Sequence, residues 1–215
     1  MSNAATQANI DRFNAIADSW DDNPTRLELA RAAAGGILEN LPLTGSEQAM
    51  EFGCGTGLVT ALVAPNVASV LAVDSSSGML EVLQRKTDEL GLHNVQTCEE
   101  DLSRRIPAGP FDLIFSSMTL HHIADVAALF RRLSAALAPG GRVALVDLEQ
   151  EDGSFHGDTE GVMHHGFDPA TVRSWLQEAH FVDAHTHRVH VLNKTGADER
   201  RHDYPIFLAT ATKPA

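Results

Sequence analysis

Residues 49–58 read AMEFGCGTGL, with three glycines in five positions, behind one short apolar run and ahead of another. Side chains missing at that spacing mean that something approaches the backbone closely. A strand that ends in a glycine-rich turn and opens a helix presents backbone N–H groups at the carboxyl edge of a parallel sheet, where open α/β folds take ligands. The dinucleotide fingerprint G-x-G-x-x-G does not fit, because its third glycine, counted from Gly53 and Gly55, falls on Leu58. What stands instead is E-x-G-x-G-x-G: Glu51, Gly53, Gly55 and Gly57. A carboxylate so placed repels a pyrophosphate and welcomes a cation.

Outward from this turn, β-branched apolar runs alternate with stretches of helical period, the pattern of βαβ units and a parallel sheet covered on both faces. Strands are expected at 48–53, 69–74, 95–99, 111–117, 141–148, 181–191 and 206–212. Helices are expected at 58–64, 77–90, 123–137 and 169–180, the last opened by Asp168 as N-cap with Pro169 behind it. Asp125, Val126, Leu129, Phe130, Leu133 and Leu137 recur at intervals of three and four, and Pro139-Gly140-Gly141 ends that helix. Ahead of the first strand, 7–18 and 25–41 read as helices broken at Asp21-Asp22-Asn23-Pro24. The fold class is α/β, a doubly wound, Rossmann-like sheet. One domain spans residues 1–215: a helical cap (1–46), a ligand-binding half (47–149) and a second half (150–215).

With 43% hydrophobic and 21% charged residues, the chain has the composition of an ordinary globular domain. A net charge of -13 at pH 7 argues against nucleic acid as a partner, since that attraction comes from clustered Lys and Arg. No apolar run is long enough for membrane insertion, and the amino terminus lacks a basic block followed by an apolar one. A reducing, cytoplasmic setting fits the two cysteines, Cys54 and Cys98, which form no CxxC motif. Oligomeric state is not legible.

Further along, Asp74 closes V-L-A-V-D about twenty residues after the turn begins, where a ribose-binding carboxylate belongs in this architecture. The glycine pattern resembles the first motif of the class I S-adenosylmethionine-dependent methyltransferases. The segments F-D-L-I-F-S-S-M-T-L-H-H-I and L-A-P-G-G-R-V-A-L-V-D are similar to that family's fourth and fifth strand regions, particularly its small-molecule and quinone branch. Phe13, Ala17, Trp20 and Asp21 resemble the branch's amino-terminal lid motif, which folds over the cofactor.

The resemblance implies a seven-stranded sheet with an antiparallel last strand, and S-adenosyl-L-methionine as cofactor, left as S-adenosyl-L-homocysteine. It places Glu51 and the turn Gly53, Cys54, Gly55 and Gly57 at the methionine portion and Asp74 at the ribose hydroxyls, with Ser75 also among the cofactor-binding residues. Met79 and Leu102 fall at the adenine faces, Asp101 at the adenine amino group, Ser116 and Ser117 at the sulfonium, and Trp20 in the lid. Glu100 competes with Asp101, since the segment can slip by one.

Methyl transfer from a sulfonium rests mainly on alignment, and a general base matters only where the acceptor must lose a proton. His121 and His122, after the fourth strand, are the candidates for base or substrate orientation. Met118, and His164 and His165 in the segment 148–167, are the candidates for lining a small-molecule acceptor site. Eight histidines lie beyond the fifth strand, yet no HExxH, helical HxxxH or Cys ligand accompanies them, so no metal site is expected. Two other readings stay open on sequence: a non-catalytic S-adenosylmethionine-binding sensor or subunit, and a nicotinamide-dependent oxidoreductase, which Leu58 disfavours.

Overall fold

The computed structural model describes residues 3–102 and 104–215. These form one seven-stranded sheet: β1 Gln48–Phe52, β2 Ser69–Asp74, β3 Val95–Glu99, β4 Phe111–Ser117, β5 Leu137–Leu148, β6 Val182–Thr195 and β7 Arg201–Thr212. Their order is β3-β2-β1-β4-β5-β7-β6, and β7 runs antiparallel to both of its neighbours while the other pairings are parallel. This is the doubly wound sheet with its antiparallel last strand. The strand order reverses between β1 and β4, and a crevice opens there at the carboxyl ends of the strands.

Side chains alternate across the strands and divide the core in two. Leu113 and Phe115 face one cluster with α2 (Pro24–Asn40), α3 (Thr60–Val63) and α4 (Ser77–Leu90). Ile114 between them faces the other, with α5 (Val126–Ala136) and α6 (Pro169–Glu178). All three are fully buried, each worth roughly 1.5–3 kcal/mol of transfer free energy.

Local chemistry sets the helix ends. In α4 the Ser76 hydroxyl accepts from the Met79 N–H at 3.2 Å, and Gly91 closes the helix with φ +67°. Asp125 does not belong to the apolar stripe of α5 but caps it, accepting from the Ala128 N–H at 2.8 Å, so that helix starts three residues later than expected. Asn23 likewise caps α2 ahead of Pro24, turning the expected break into a helix start. The first helix, α1, spans Asn3–Ile16 and passes into a 3₁₀ turn, Ala17–Asp22.

Three strands outrun their expected limits, β7 by starting at Arg201. β5 begins at Leu137 and carries Pro139-Gly140-Gly141 within it, because Gly140 and Gly141 exchange hydrogen bonds with Lys213 beyond β7 (3.0 and 2.7 Å). β6 continues to Thr195, where Leu192–Thr195 pair with Tyr204–Arg201, and this extension carries Lys194 to the rim of the crevice. Among the described residues, no helix is long and apolar enough to cross a membrane.

Candidate functional site

The three glycines of the turn are bare for three different reasons. A Cβ on Gly53, at φ +60°, would stand 2.3 Å from the Thr119 side chain, and one on Gly57 would stand 2.1 Å from Leu83. Gly55 has φ +53° and nothing within 4 Å of its missing Cβ. Gly53 therefore lets β4 approach and Gly57 lets α4 pack, while Gly55 leaves open space for a ligand. That space is a cavity of about 670 Å³, within the range of small-molecule sites.

Of the residues singled out for a cofactor, Trp20, Glu51, Gly53, Cys54, Gly55, Asp74, Ser75, Met79, Asp101, Leu102 and Ser117 line this cavity, and Glu100 lines it beside Asp101. Glu100 pairs with Arg105, and Asp101 with Arg104 at 3.2 Å. Gly57 and Ser116 stand outside the lining. Gly57 faces Leu83, and the buried Ser116 hydroxyl donates to the Phe52 carbonyl at 2.8 Å, tying β4 to β1.

The Asp74 carboxylate accepts one backbone N–H on each oxygen, from Gly55 at 2.8 Å and Ser76 at 2.9 Å. Burial raises its pKa, and these amides oppose the rise. Each oxygen keeps acceptor capacity for a ligand hydroxyl. Glu51 is buried against the Thr60 hydroxyl. Burial pushes its carboxyl up to about 8, with Thr60 opposing and the negative Asp74 adding to the rise. Because the folded-state pKa lies above the unfolded value, folding retains a proton there and stability falls as pH rises between the two.

Glu51→Gln is accordingly expected to exceed the parent in stability by about 1–3 kcal/mol at pH 8, and to lose most of that advantage at pH 5. Urea denaturation at the two pH values checks this. An advantage that does not change with pH would contradict it.

The amino-terminal segment closes over the turn. The Thr56 hydroxyl donates to Asp21 at 2.6 Å, Lys86 pairs with the other Asp21 oxygen at 2.6 Å, and Lys86 also donates to the Thr56 carbonyl at 2.7 Å. Asn14 accepts from the Ser76 hydroxyl and the Gly78 N–H, so α1 also rests on the start of α4. Trp20 packs edge-on to Phe13 at 5.6 Å and lies beneath the Arg26 guanidinium, 3.6 Å from its ring centre.

Beyond β4 the wall changes character. Met118 takes φ +55°, a sparsely populated conformation for a non-glycine residue, and lines the cavity. His121 is buried, and its Nδ1 lies 2.7 Å from Oδ1 of the fully buried Asp147 on β5. Burial alone would raise Asp147, but the facing imidazole and the N–H groups of Leu148 and His121 override it and hold this carboxyl below the usual range. An ionised carboxylate only accepts, so Nδ1 carries the hydrogen, and in the neutral ring Nε2 is then the acceptor.

His122 turns its Nδ1 to the Gly161 carbonyl at 2.8 Å. Burial, and then the neighbouring His121, lower its pKa to about 4. His164 and His165 lie outside the cavity lining. His164 bonds the Ile123 carbonyl at 2.9 Å and stacks on Phe167, while His165 stands 3.6 Å from Glu151. From the same loop, Phe155, His156, Asp158, Glu160 and Met163 line the cavity in their place.

Asp147, His156 and Lys194 are not singled out by the sequence. Asp147 had a signal, a lone carboxylate inside the apolar strand V-A-L-V-D-L, which a sheet covered on both faces tolerates only when the group is partnered. Among the described residues, no group of three His, Cys, Asp or Glu side chains is placed to hold a metal ion.

A family model described as a methyltransferase domain matches residues 25–196. The chain is 26% identical over 226 residues to an uncharacterised methyltransferase of Schizosaccharomyces pombe, covering 82% of this chain and 80% of that protein. It is 29% identical over 200 residues to a ubiquinone biosynthesis O-methyltransferase of Xanthomonas euvesicatoria, covering 80% of each. The solved DhpI–SAH complex superposes with a TM-score of 0.77 at 22% identity, over 100% of this chain and 99% of that one, a likeness of fold.

Proposed function

The chain belongs to the methyltransferase-domain family, and from that premise we propose that it methylates a small-molecule acceptor, with S-adenosylmethionine as donor. One observation carries the reading: two carboxyl groups, the buried Glu51 and the half-buried Asp74, flank a bare glycine turn that opens onto a cavity of about 670 Å³. Those residues fit the donor, whose sulfonium and ammonium are cationic and whose ribose offers two hydroxyls. Asp74 would take the hydroxyls, Glu51 and the turn the methionine portion, and Met79 and Leu102 the adenine faces, with Asp101 or Glu100 at its amino group.

The donor, when bound, supplies an electrophilic methyl carbon on a good leaving group. The protein's share is alignment, exclusion of water by the segment clasped through Asp21, and proton removal from the acceptor. His121 is suited to removing that proton, because Asp147 fixes its tautomer and leaves Nε2 to take the proton as the acceptor oxygen becomes the nucleophile. The cavity has small-molecule dimensions, which favours a small acceptor over a macromolecule.

Titration calorimetry with S-adenosylhomocysteine tests the donor assignment. The parent is expected to bind it and not NADH, and Asp74→Ala is expected to weaken binding by about 1–3 kcal/mol through loss of charge-assisted hydrogen bonds. Unchanged affinity in a folded Asp74→Ala protein would overturn the assignment.

A further inference from the structure

The cavity wall differs in its titratable side chains from one side of the switch point to the other. The carboxylates Glu51, Asp74, Glu100 and Asp101 belong to β1, β2 and the segment after β3, on one side of the switch point. On the other side the wall carries His121, His122, His156 and Lys194, from segments that follow β4 and β5 and from β6, with Asp158 and Glu160 in the same loop as His156 and Asp158 paired with Arg12. We propose that this second end binds an oxyanion of the methyl acceptor, a carboxylate or a phosphonate, between the Lys194 ammonium and the His156 imidazole. The inference rests on the methyltransferase reading and adds the acceptor's chemical class.

Lys194 is half-buried at the rim, donates to the Phe155 carbonyl at 2.5 Å and stands 3.9 Å from the centre of the Phe155 ring. No carboxylate among the described residues comes within salt-bridge distance of it, and burial lowers its pKa. The Tyr204 ring centre is 5.6 Å away and Glu151 attracts the ammonium from beyond ion-pair distance, and a desolvated ammonium held by a carbonyl and ring faces keeps capacity to pair with an anion. His156 lies next to it in the chain fold: the His156 ring is 4.8 Å from Phe155 and 4.9 Å from His121, and its Nε2 is buried with no hydrogen-bond partner. A buried polar atom without a partner in a cavity wall marks a place where a ligand atom completes the bonding.

The groups facing His156 are His121 and His122 after β4, Asp147 on β5 and Lys194 on β6. Burial, then His121, His122 and Lys194, push His156 down to about 3. The carboxylate among these groups, Asp147, is taken by His121. The His156 ring is therefore neutral near neutral pH and can offer a ligand an N–H, while the charge that attracts an anion is that of Lys194. Arg12 and Arg26 also line the cavity, but Arg12 is paired with Asp158 at 3.0 Å, and Arg26 donates to the Trp20 carbonyl at 3.1 Å and lies over the Trp20 ring, so Lys194 is the cation that acts on His156.

The test is titration calorimetry in the presence of saturating S-adenosylhomocysteine. The probes are ethylphosphonate and glutarate, each beside its neutral counterpart, diethyl ethylphosphonate and glutaramide. Binding of at least one anion in preference to its neutral counterpart is expected, and which anion binds identifies the acid. Lys194→Met is expected to weaken that binding about tenfold or more, and Lys194→Arg to retain most of it. If neither anion binds, if the neutral counterparts bind as well, or if Lys194→Met leaves the anion's affinity unchanged, the proposal falls. S-adenosylhomocysteine binding without anion binding strikes this inference alone, whereas anion binding without S-adenosylhomocysteine binding strikes the donor assignment and leaves the oxyanion site standing.

Discussion

A His121→Ala protein is expected to turn over about 10²–10⁴-fold more slowly than the parent, with its affinity for S-adenosylhomocysteine unchanged. The measurement is kcat on whichever acceptor a screen with methyl-labelled donor identifies, beside a calorimetric Kd for the demethylated product. The expectation follows from geometry. His121 is buried at the cavity wall, its Nδ1 is held by Asp147 at 2.7 Å, and its backbone N–H also points to that carboxylate at 3.3 Å. Its carbonyl accepts from Met163 and His164 at 2.8 and 3.1 Å, so the ring sits on a backbone fixed from both sides. A base held this way loses no activity to reorientation, and removing it leaves only alignment to lower the barrier.

Asp147→Asn separates a base from a packing histidine. The isosteric amide keeps the shape but can donate to Nδ1, moving the hydrogen to Nε2 and removing the acceptor lone pair from the cavity. Turnover should fall with the donor affinity intact. If His121→Ala stays within about threefold of the parent kcat, His121 has no part in proton removal.

Gly166→Ala is expected to cost about 3–5 kcal/mol of stability, above the usual range for a surface-loop substitution. Gly166 has φ +72°, and a Cβ there would stand 2.1 Å from the Glu149 carbonyl oxygen, 2.7 Å from its carbon and 3.0 Å from the Leu148 oxygen. These are backbone atoms, and they cannot retreat. Phe167 donates to Leu148 and accepts from Gln150, both at 2.9 Å, in a parallel bridge between Glu149 and Phe167. Phe167 itself is buried between His164 and Trp175.

The strain would act on function as well, because this loop gives His122 its Gly161 partner and supplies His156 to the cavity. Thermal or urea denaturation gives the stability change, and a loss under about 1 kcal/mol would mean that the Glu149–Phe167 pairing yields more easily than its hydrogen bonds imply.

Much of the cofactor half was legible because its chemistry is local. Strands at 69–74, 95–99 and 111–117 and the helix at 77–90 fall where period and punctuation put them, since each is bounded by its own turn residues and cap. Glu51, Asp74 and the glycines are close in sequence to the strand ends that position them, so spacing alone brings them together. Gly57 and Ser116 mark the limit of that reasoning. Both sit inside the right motif, but which way each faces depends on Leu83 and Phe52, distant in sequence.

The acceptor half was less legible for the same reason inverted. His121 and His122 are placed by their position after a strand, whereas His164 and His165, expected in the lining, lie outside it, and Phe155 and His156 line the cavity. Histidine alone does not tell which residues of a long loop turn inward. That is fixed here by contacts across the fold, Met163 to His121, His164 to Ile123 and Lys194 to Phe155. The reach of β6 was also underestimated, because Leu192–Thr195 become strand only through pairing with Tyr204–Arg201.

The sequence by itself determined the class of fold, the glycine turn and the carboxylates that follow the first strands, because periodicity, capping and turn chemistry act between residues a few positions apart. Only the tertiary structure decided that Asp147 orients His121, that Asp21 clasps the turn through Thr56 and Lys86, and that Lys194 meets His156 on one wall. Those pairs lie 26, 35, 65 and 38 positions apart (147 − 121, 56 − 21, 86 − 21 and 194 − 156), and separations of that size are closed by sheet order and core packing, which no local pattern encodes.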